Sequence, residues 1–201
     1  MVRVGISVEG STEERFMKMV LAPYLADKNI YITPISMNGD VKIAKVEFEL
    51  KSILYNFDYV STFYDFYGFK GKSEVETKET LEQKIEDIMH HTVRQKLIPY
   101  VQMYEFEGLL FSSSAALASN LGDVSLVNWA DNILVQFNGD PERINDSTVT
   151  APSKRLQGNT KYRKTTHGPN IAKEIGIDGI RDKCAGFDDW LNRLENLPLV
   201  C

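Results

Sequence analysis

The chain predicts an α/β fold with a parallel sheet of about four strands flanked by helices. Three observations carry this. Short apolar runs alternate with longer stretches of helical periodicity; three of the four runs end abruptly in an acidic residue; and Gly, Ser or Thr follows the first of those acids. Strands that alternate with helices pair in parallel through right-handed crossovers. Open sheets of that kind present their ligands at the carboxyl ends of the strands.

The elements follow in order. Val2 to Val8 is a short buried strand that stops at Glu9. Ser11 to Glu14 has the S-x-x-E spacing of a capping box, in which hydroxyl and carboxylate satisfy orphan amides. A helix follows with Phe16, Met19 and Val20 on one face, and Pro23 is expected to kink it or end its first segment. Ile30 to Met37, rich in β-branched residues, is the second strand. Val41 to Phe57 is a second helix, with Ile43, Val46, Leu50, Ile53 and Leu54 at helical spacing. Tyr59 to Tyr64 is the third strand and runs into Asp65; residues 66–73 form a loop with Gly and Lys. Glu74 to Lys96 reads as one long helix striped by Leu81, Ile85, Ile88, Met89 and Val93. Ile98 to Tyr104 is the fourth strand and leads to Glu105 and Glu107. Residues 108–121 read as helical, 136–170 as loop or short turns, and Ile171 to Leu197 as two short helices with Phe187, Trp190, Leu191 and Leu194 packing on the body. The division expected is an α/β domain over 1–125, and over 126–201 a basic loop and helical extension packed on it.

The chain has 201 residues, 43% hydrophobic and 25% charged, which is ordinary for a soluble globular protein. Its net charge of −5 argues against a generally basic nucleic-acid coat. The charge is unevenly spread. Residues 1–150 carry 14 Lys/Arg against 22 Asp/Glu, and residues 151–201 carry nine against six. Lys154, Arg155, Lys161, Arg163, Lys164 and Lys173 form a run with no acid among them. An acidic site beside a basic strip suits a polyanion held next to a metal. Cys184 and Cys201 have neither metal-ligand spacing nor a disulfide framework. No signal peptide and no stretch of 18 apolar residues is visible, so the expectation is a cytoplasmic protein without a membrane span.

If strands one, three and four are neighbours, Glu9, Asp65, Glu105 and Glu107 converge. Such carboxylates repel unless a hard cation lies between them. Mg²⁺ or Mn²⁺ accepts these ligands, with Glu9, Asp65 and Glu107 the expected metal set. In an extended segment Glu105 and Glu107 point to the same side. The strip, through Lys154, Arg155, Lys161 and Lys164, is expected to contact phosphate, and Tyr162 to stack on a base. His167 can serve as a base or cap a turn and stays outside the catalytic set. His90 and His91 fall on the long helix, at most one facing inward.

The segments Val8-Glu-Gly-Ser-Thr-Glu-Glu-Arg-Phe16 and Tyr64-Asp-Phe-Tyr-Gly-Phe69 resemble the Toprim domain of topoisomerases, primases and the overcoming-lysogenization-defect nucleases. Together with Gln102-Met-Tyr-Glu-Phe-Glu-Gly-Leu-Leu-Phe111, Pro141-Glu-Arg-Ile-Asn145, Thr150-Ala-Pro-Ser-Lys-Arg-Leu156 and Ile180-Arg-Asp-Lys-Cys184, they more closely resemble a Toprim-like bacterial family, domain of unknown function 4276. The resemblance implies a Toprim-like (Rossmannoid) sheet, Glu9 as general acid/base and Asp65 as metal ligand. It further implies a metal-dependent nuclease acting on DNA or RNA, of the kind paired with an ATPase in anti-phage defence. It departs at Tyr67, where the Toprim pattern has the second acid of Asp-x-Asp, so a non-catalytic subunit that binds an ATPase or nucleic acid is the other reading. A haloacid-dehalogenase-type phosphatase needs Asp-x-Asp after the first strand, where Glu-Gly stands. A phosphate-accepting receiver needs paired acids there, and Glu9 is alone. A P-loop is excluded because G-x-x-x-x-G-K-[ST] does not occur.

Overall fold

A computed structural model describes residues 1–145 and 147–198; Cys201 lies outside the described residues. The sheet is wholly parallel, with helices on both faces. Strand β1 (Val2–Val8) leads into α1 (Ser11–Phe16). Here the cap differs from the expectation. Gly10 is the N-cap and Ser11 is already helical, so Glu13, not Glu14, reaches back to the Gly10 N–H (Oε2, 3.0 Å). The helix does not end at Pro23. It widens into a π segment over Met17–Leu21, in which Ala22 N–H bonds Met17 O, and continues as α2 (Ala22–Ala26). The i→i+5 turn absorbs the hydrogen bond that proline cannot donate.

Strand β2 (Ile30–Ser36) lies on one side of β1, and after α3 (Ile43–Ile53) strand β3 (Tyr59–Asp65) lies on the other. Residues 74–96 are not one helix. They hold α4 (Lys78–Asp87), capped by Thr77, and the short α5 (His91–Arg94), with His90 as its N-cap. Leu81, Ile85 and Met89 of the stripe are buried all the same, which is why periodicity joined what hydrogen bonding separates. His90 and His91 are both exposed.

The expected fourth strand is two short pieces, β4 (Leu97–Ile98) and β5 (Val101–Gln102), both paired with β3. Pro99 interrupts the ladder. Two buried hydroxyls of β3 bridge the gap: Thr62 Oγ1 donates to Tyr100 O and accepts from Tyr100 N, each at 2.9 Å, and Ser61 Oγ donates to Ile98 O at 2.6 Å. The register is thereby kept, so Asp65 still faces Gln102.

The C-terminal part is more helical than expected. It holds α6 (Ser114–Leu121), α7 (Leu126–Gln136), α8 (Pro152–Asn159), α9 (Lys164–Arg181, interrupted at Gly176, φ 77°) and α10 (Ala185–Glu195). Pro152 opens α8, where its missing N–H costs nothing. These helices share one core with the sheet: Val4, Ile6 and Phe63 pack with Ile171, Ile180, Phe187, Leu191 and Leu194. The other face buries Val46, Leu50, Tyr64, Leu81 and Ile85. Trp190 joins α10 to the sheet, stacked on Tyr100 (4.9 Å between centroids), packed on Phe63 (5.3 Å), and donating Nε1–H to Ser61 Oγ at 2.9 Å. Trp190→Ala is expected to cost about 3–5 kcal/mol in denaturant unfolding, and Trp190→Phe less because the cavity is smaller.

Candidate active site at the carboxyl edge of the sheet

The cluster is built by the ends of the central strands. Glu9 leaves β1 and Asp65 closes β3, adjacent in the sheet. Tyr104 then takes a left-handed backbone (φ 60°) that turns the chain across the strand ends. Glu105 and Glu107 therefore do not lie on an extended strand: Glu105 caps a 3₁₀ helix over Phe106–Ser112, and Glu107 lies inside it. Their directions diverge. Glu105 accepts from Ser153 N and Oγ (2.8 and 2.9 Å) in the first turn of α8, where the helix dipole favours an anion. Glu107 is fully buried, facing the first turn of α9. Asp65 Oδ1 accepts from Phe106 N at 2.7 Å, which fastens the two strand ends together.

Lys164 enters this cluster from α9. Its Nζ lies 3.2 and 3.3 Å from the two carboxylate oxygens of Glu107. Tyr162 is buried and donates its hydroxyl to Glu107 Oε1 at 3.2 Å; it does not present a free face for a base. Gly168 of α9 allows the close approach, since a Cβ there would stand 2.8 Å from Tyr162 Oη. Glu13 is a further buried acid, outside the sequence reading because the capping spacing points to Glu14. It stands four residues after Glu9, so a helix beginning at Ser11 sets it beside the strand end.

The electrostatics follow from burial. Desolvation raises Asp65 well above the ordinary aspartate range, with Glu13, Glu9 and Glu107 adding to the rise. Glu107 is pushed up to about 7, by burial first, against the opposing charge of Lys164. Glu13 and Glu9 are raised for the same leading reason. For Lys164 burial opposes the charge, but Glu107, Asp65 and Glu105 outweigh it and hold the ammonium protonated well above its ordinary range. Glu9 Oε2 is buried without a hydrogen-bond partner. Its carboxylate lies flush on the backbone of Gly68, where a Cβ would stand 2.0 Å from that oxygen.

The other members of the basic strip are placed differently. Lys154 and Lys161 are exposed. Arg155 donates Nε–H to Thr150 O at 2.7 Å and lies over the Phe137 ring. His167 accepts from Arg163 N at 2.8 Å through Nδ1, capping the first turn of α9. Tyr67, in the turn after Asp65, packs with Phe66 and Tyr104.

Among the described residues, no group of three or more His, Cys, Asp or Glu is drawn together closely enough to enclose a metal. What the structure offers a cation is a pair of neighbouring carboxylates, Glu9 with one buried oxygen unsatisfied and the buried Asp65 beside it, while Glu107 is taken by Lys164 and Tyr162. That suits Mg²⁺, which keeps several waters and takes one or two carboxylates.

A carboxyl whose folded pKa is raised binds a proton that the unfolded chain has lost. Stability therefore falls as pH rises from the unfolded value to the folded one. In chelator, melting temperature is expected to fall from pH 5 to pH 8, with Glu107 contributing on the order of 2–3 kcal/mol. Glu107→Gln flattens that profile. Lys164→Met steepens it and costs on the order of 1–3 kcal/mol at pH 7.5, below a fully buried pair because the lysine is partly exposed. Thermal melts across the pH series check all three.

No curated protein matches the chain. Among solved structures, the C-terminal region of the OLD protein from Xanthomonas campestris pv. campestris is similar at 16% identity, covering 95% of each chain with a TM-score of 0.43. The pattern described as a domain of unknown function (DUF4276) matches residues 8–195, and the chain belongs to that family.

Proposed function

We propose that the carboxyl edge of the sheet is a divalent-cation-dependent centre for phosphodiester cleavage in DNA or RNA. The observation that carries this reading is the gathering of Glu9, Glu13, Asp65 and Glu107 within reach of the charge of one half-buried ammonium, that of Lys164, with one Glu9 oxygen left unsatisfied. Lys164 leaves part of the cluster's charge to be offset by protons, as the raised carboxyls show, and a hard cation would take their place. Glu9, through its unsatisfied oxygen, and its sheet neighbour Asp65 would hold it with water completing the shell, while Glu107 stays paired with Lys164. When bound, Mg²⁺ or Mn²⁺ supplies charge neutralisation at phosphoryl oxygens. The chain's own groups do the rest. Glu9, whose carboxyl burial raises above the usual carboxylate range and whose Oε2 has no hydrogen-bond partner, serves as the proton acceptor. Lys164 keeps its charge throughout and balances negative charge that builds on phosphate. The exposed Lys154 and Lys161 hold neighbouring phosphates. The resemblance of the Glu9 and Asp65 segments to Toprim points the same way, and an ATPase partner belongs to the same reading.

Mn²⁺-dependent cleavage of single-stranded, duplex or transfer-RNA substrates is the test. Glu9→Gln and Asp65→Asn are each expected to lower kcat by about 10²–10⁴-fold with the fold intact by circular dichroism. Absence of cleavage by the wild type, alone and with its partner, supports the non-catalytic subunit, the reading that Tyr67 in place of an acid favours. Gly68→Ala gives a second check. The new methyl meets a flexible carboxylate tip and not backbone, so stability is expected to change by less than about 1 kcal/mol while Mn²⁺ affinity by calorimetry drops at least tenfold. Unchanged affinity would remove Glu9 from the site.

A further inference from the structure

The position where the resemblance expects an acid is occupied by an aromatic that has its own surroundings. Tyr67 stands two residues beyond Asp65, and Tyr104 stands immediately before Glu105. Their rings are 5.5 Å apart at 42°, and both are half-buried, so each keeps some exposed surface beside the chain segments that carry the acids. Phe66, buried beneath them, meets Tyr67 at 6.0 Å and Tyr104 edge-on at 6.3 Å. Tyr67 N–H donates to Tyr104 O at 3.0 Å, which ties the two turns together. Tyr104 holds a left-handed backbone that a bulky aromatic rarely adopts. Strain of this kind persists where surrounding structure enforces it, and it concentrates at ligand sites.

Charge accompanies the rings. Lys72 Nζ lies 5.2 and 5.3 Å from the centroids of Phe66 and Tyr67. Lys70 is exposed, and its charge reaches Glu9. Asn145, whose side chain reaches the Tyr67 hydroxyl, keeps its Oδ1 buried and without a hydrogen-bond partner. Gly68, next to Tyr67, lies against the Glu9 carboxylate, so this rim and the acid cluster meet at one residue. Aromatic faces interleaved with lysines beside a phosphate-handling centre are the recognition chemistry of unpaired nucleotides: rings stack on bases, and ammonium groups follow the backbone. A duplex keeps its bases stacked on one another and offers no face to such a rim.

We propose that Tyr67 and Tyr104, with Lys70 and Lys72, form a stacking subsite for an unpaired nucleobase, beside the carboxylate cluster that handles the adjoining phosphate. This rests on the phosphodiester reading above and adds to it that the strand is single at the site.

The test is fluorescence anisotropy with the full chain in chelator, using labelled oligo(dT), an abasic oligomer of equal length and charge, and a duplex of the same length. Oligo(dT) is expected to bind roughly tenfold tighter than the abasic strand, and tighter than the duplex. Tyr67→Leu and Tyr104→Leu close the gap between oligo(dT) and abasic strand; Tyr67→Phe, which keeps the ring, preserves it. Equal wild-type affinity for oligo(dT) and abasic strand overturns the proposal, and so does a gap that survives both leucine variants. Because the wild-type ratio decides by itself, a leucine variant that fails to fold leaves the proposal testable. Mn²⁺-dependent cleavage that persists with no such gap sinks the subsite alone. A gap without cleavage keeps the subsite and sinks the catalytic reading. If none of the three oligomers binds, both are lost.

Discussion

The contact between Lys164 and Glu107 is the interaction on which the rest depends. It joins residues far apart in the chain, and it sets a half-buried ammonium among carboxylates that come from the end of β1, α1, β3 and the turn after β5. Without it the acids at the edge of the sheet would be left with hydrogen bonds from Gly10 N, Phe106 N and Tyr162 Oη and the more distant charge of Lys70 against desolvation. With it the cluster is tolerable, but burial, with the neighbouring acids adding to it, still raises the carboxyls, and one oxygen of Glu9 stays unsatisfied. A buried pair of this kind is a poor source of stability.

Much of the fold serves to hold that arrangement. Ser61 and Thr62 carry the sheet past Pro99, so that Asp65 stays level with Gln102 and the chain can turn at Tyr104. Trp190 fixes α10 on Ser61, the same residue that bridges the broken strand. α9 shares the first core through Ile171 and Ile180, and it delivers Lys164 to the site from that packed face. The electrostatic centre and the hydrophobic core are thus two ends of the same helix.

The parts of this that were legible in sequence share one property: they are written in contiguous patterning. The apolar runs before Glu9 and Asp65 end sharply, so the strands and their terminal acids could be read directly. Phe187, Trp190, Leu191 and Leu194 are spaced as a helix and are buried as one. What escaped the sequence depends on long-range geometry or on local exceptions. The capping spacing points to Glu14, whereas the cap is Glu13, and its burial beside Glu9 is a tertiary fact. α8 and the first half of α9 lie in a Gly-, Thr- and Pro-rich stretch whose composition reads as loop; Pro152 is helical because it opens its helix, and Gly168 is small because Tyr162 needs the space. Lys164 looked like an exposed phosphate contact because nothing local shows that its helix turns it toward Glu107. Glu105 and Glu107 were assigned to one face of a strand, and the left-handed Tyr104 sends them to different partners.

The central claim is that this carboxylate cluster lacks positive charge that a divalent cation supplies. The most direct measurement is the melting temperature of wild type and Asp65→Asn at pH 7.5 over a Mn²⁺ titration, with Ca²⁺-free buffer and a chelator baseline. Binding to the folded state alone raises stability by about 2.7 kcal/mol at a hundredfold excess over Kd. The account predicts a saturable rise for wild type and its loss in Asp65→Asn, whose chelator baseline lies above that of wild type because a buried acid has been removed. A Mn²⁺ response that is absent from wild type, or equal in both proteins, would contradict it.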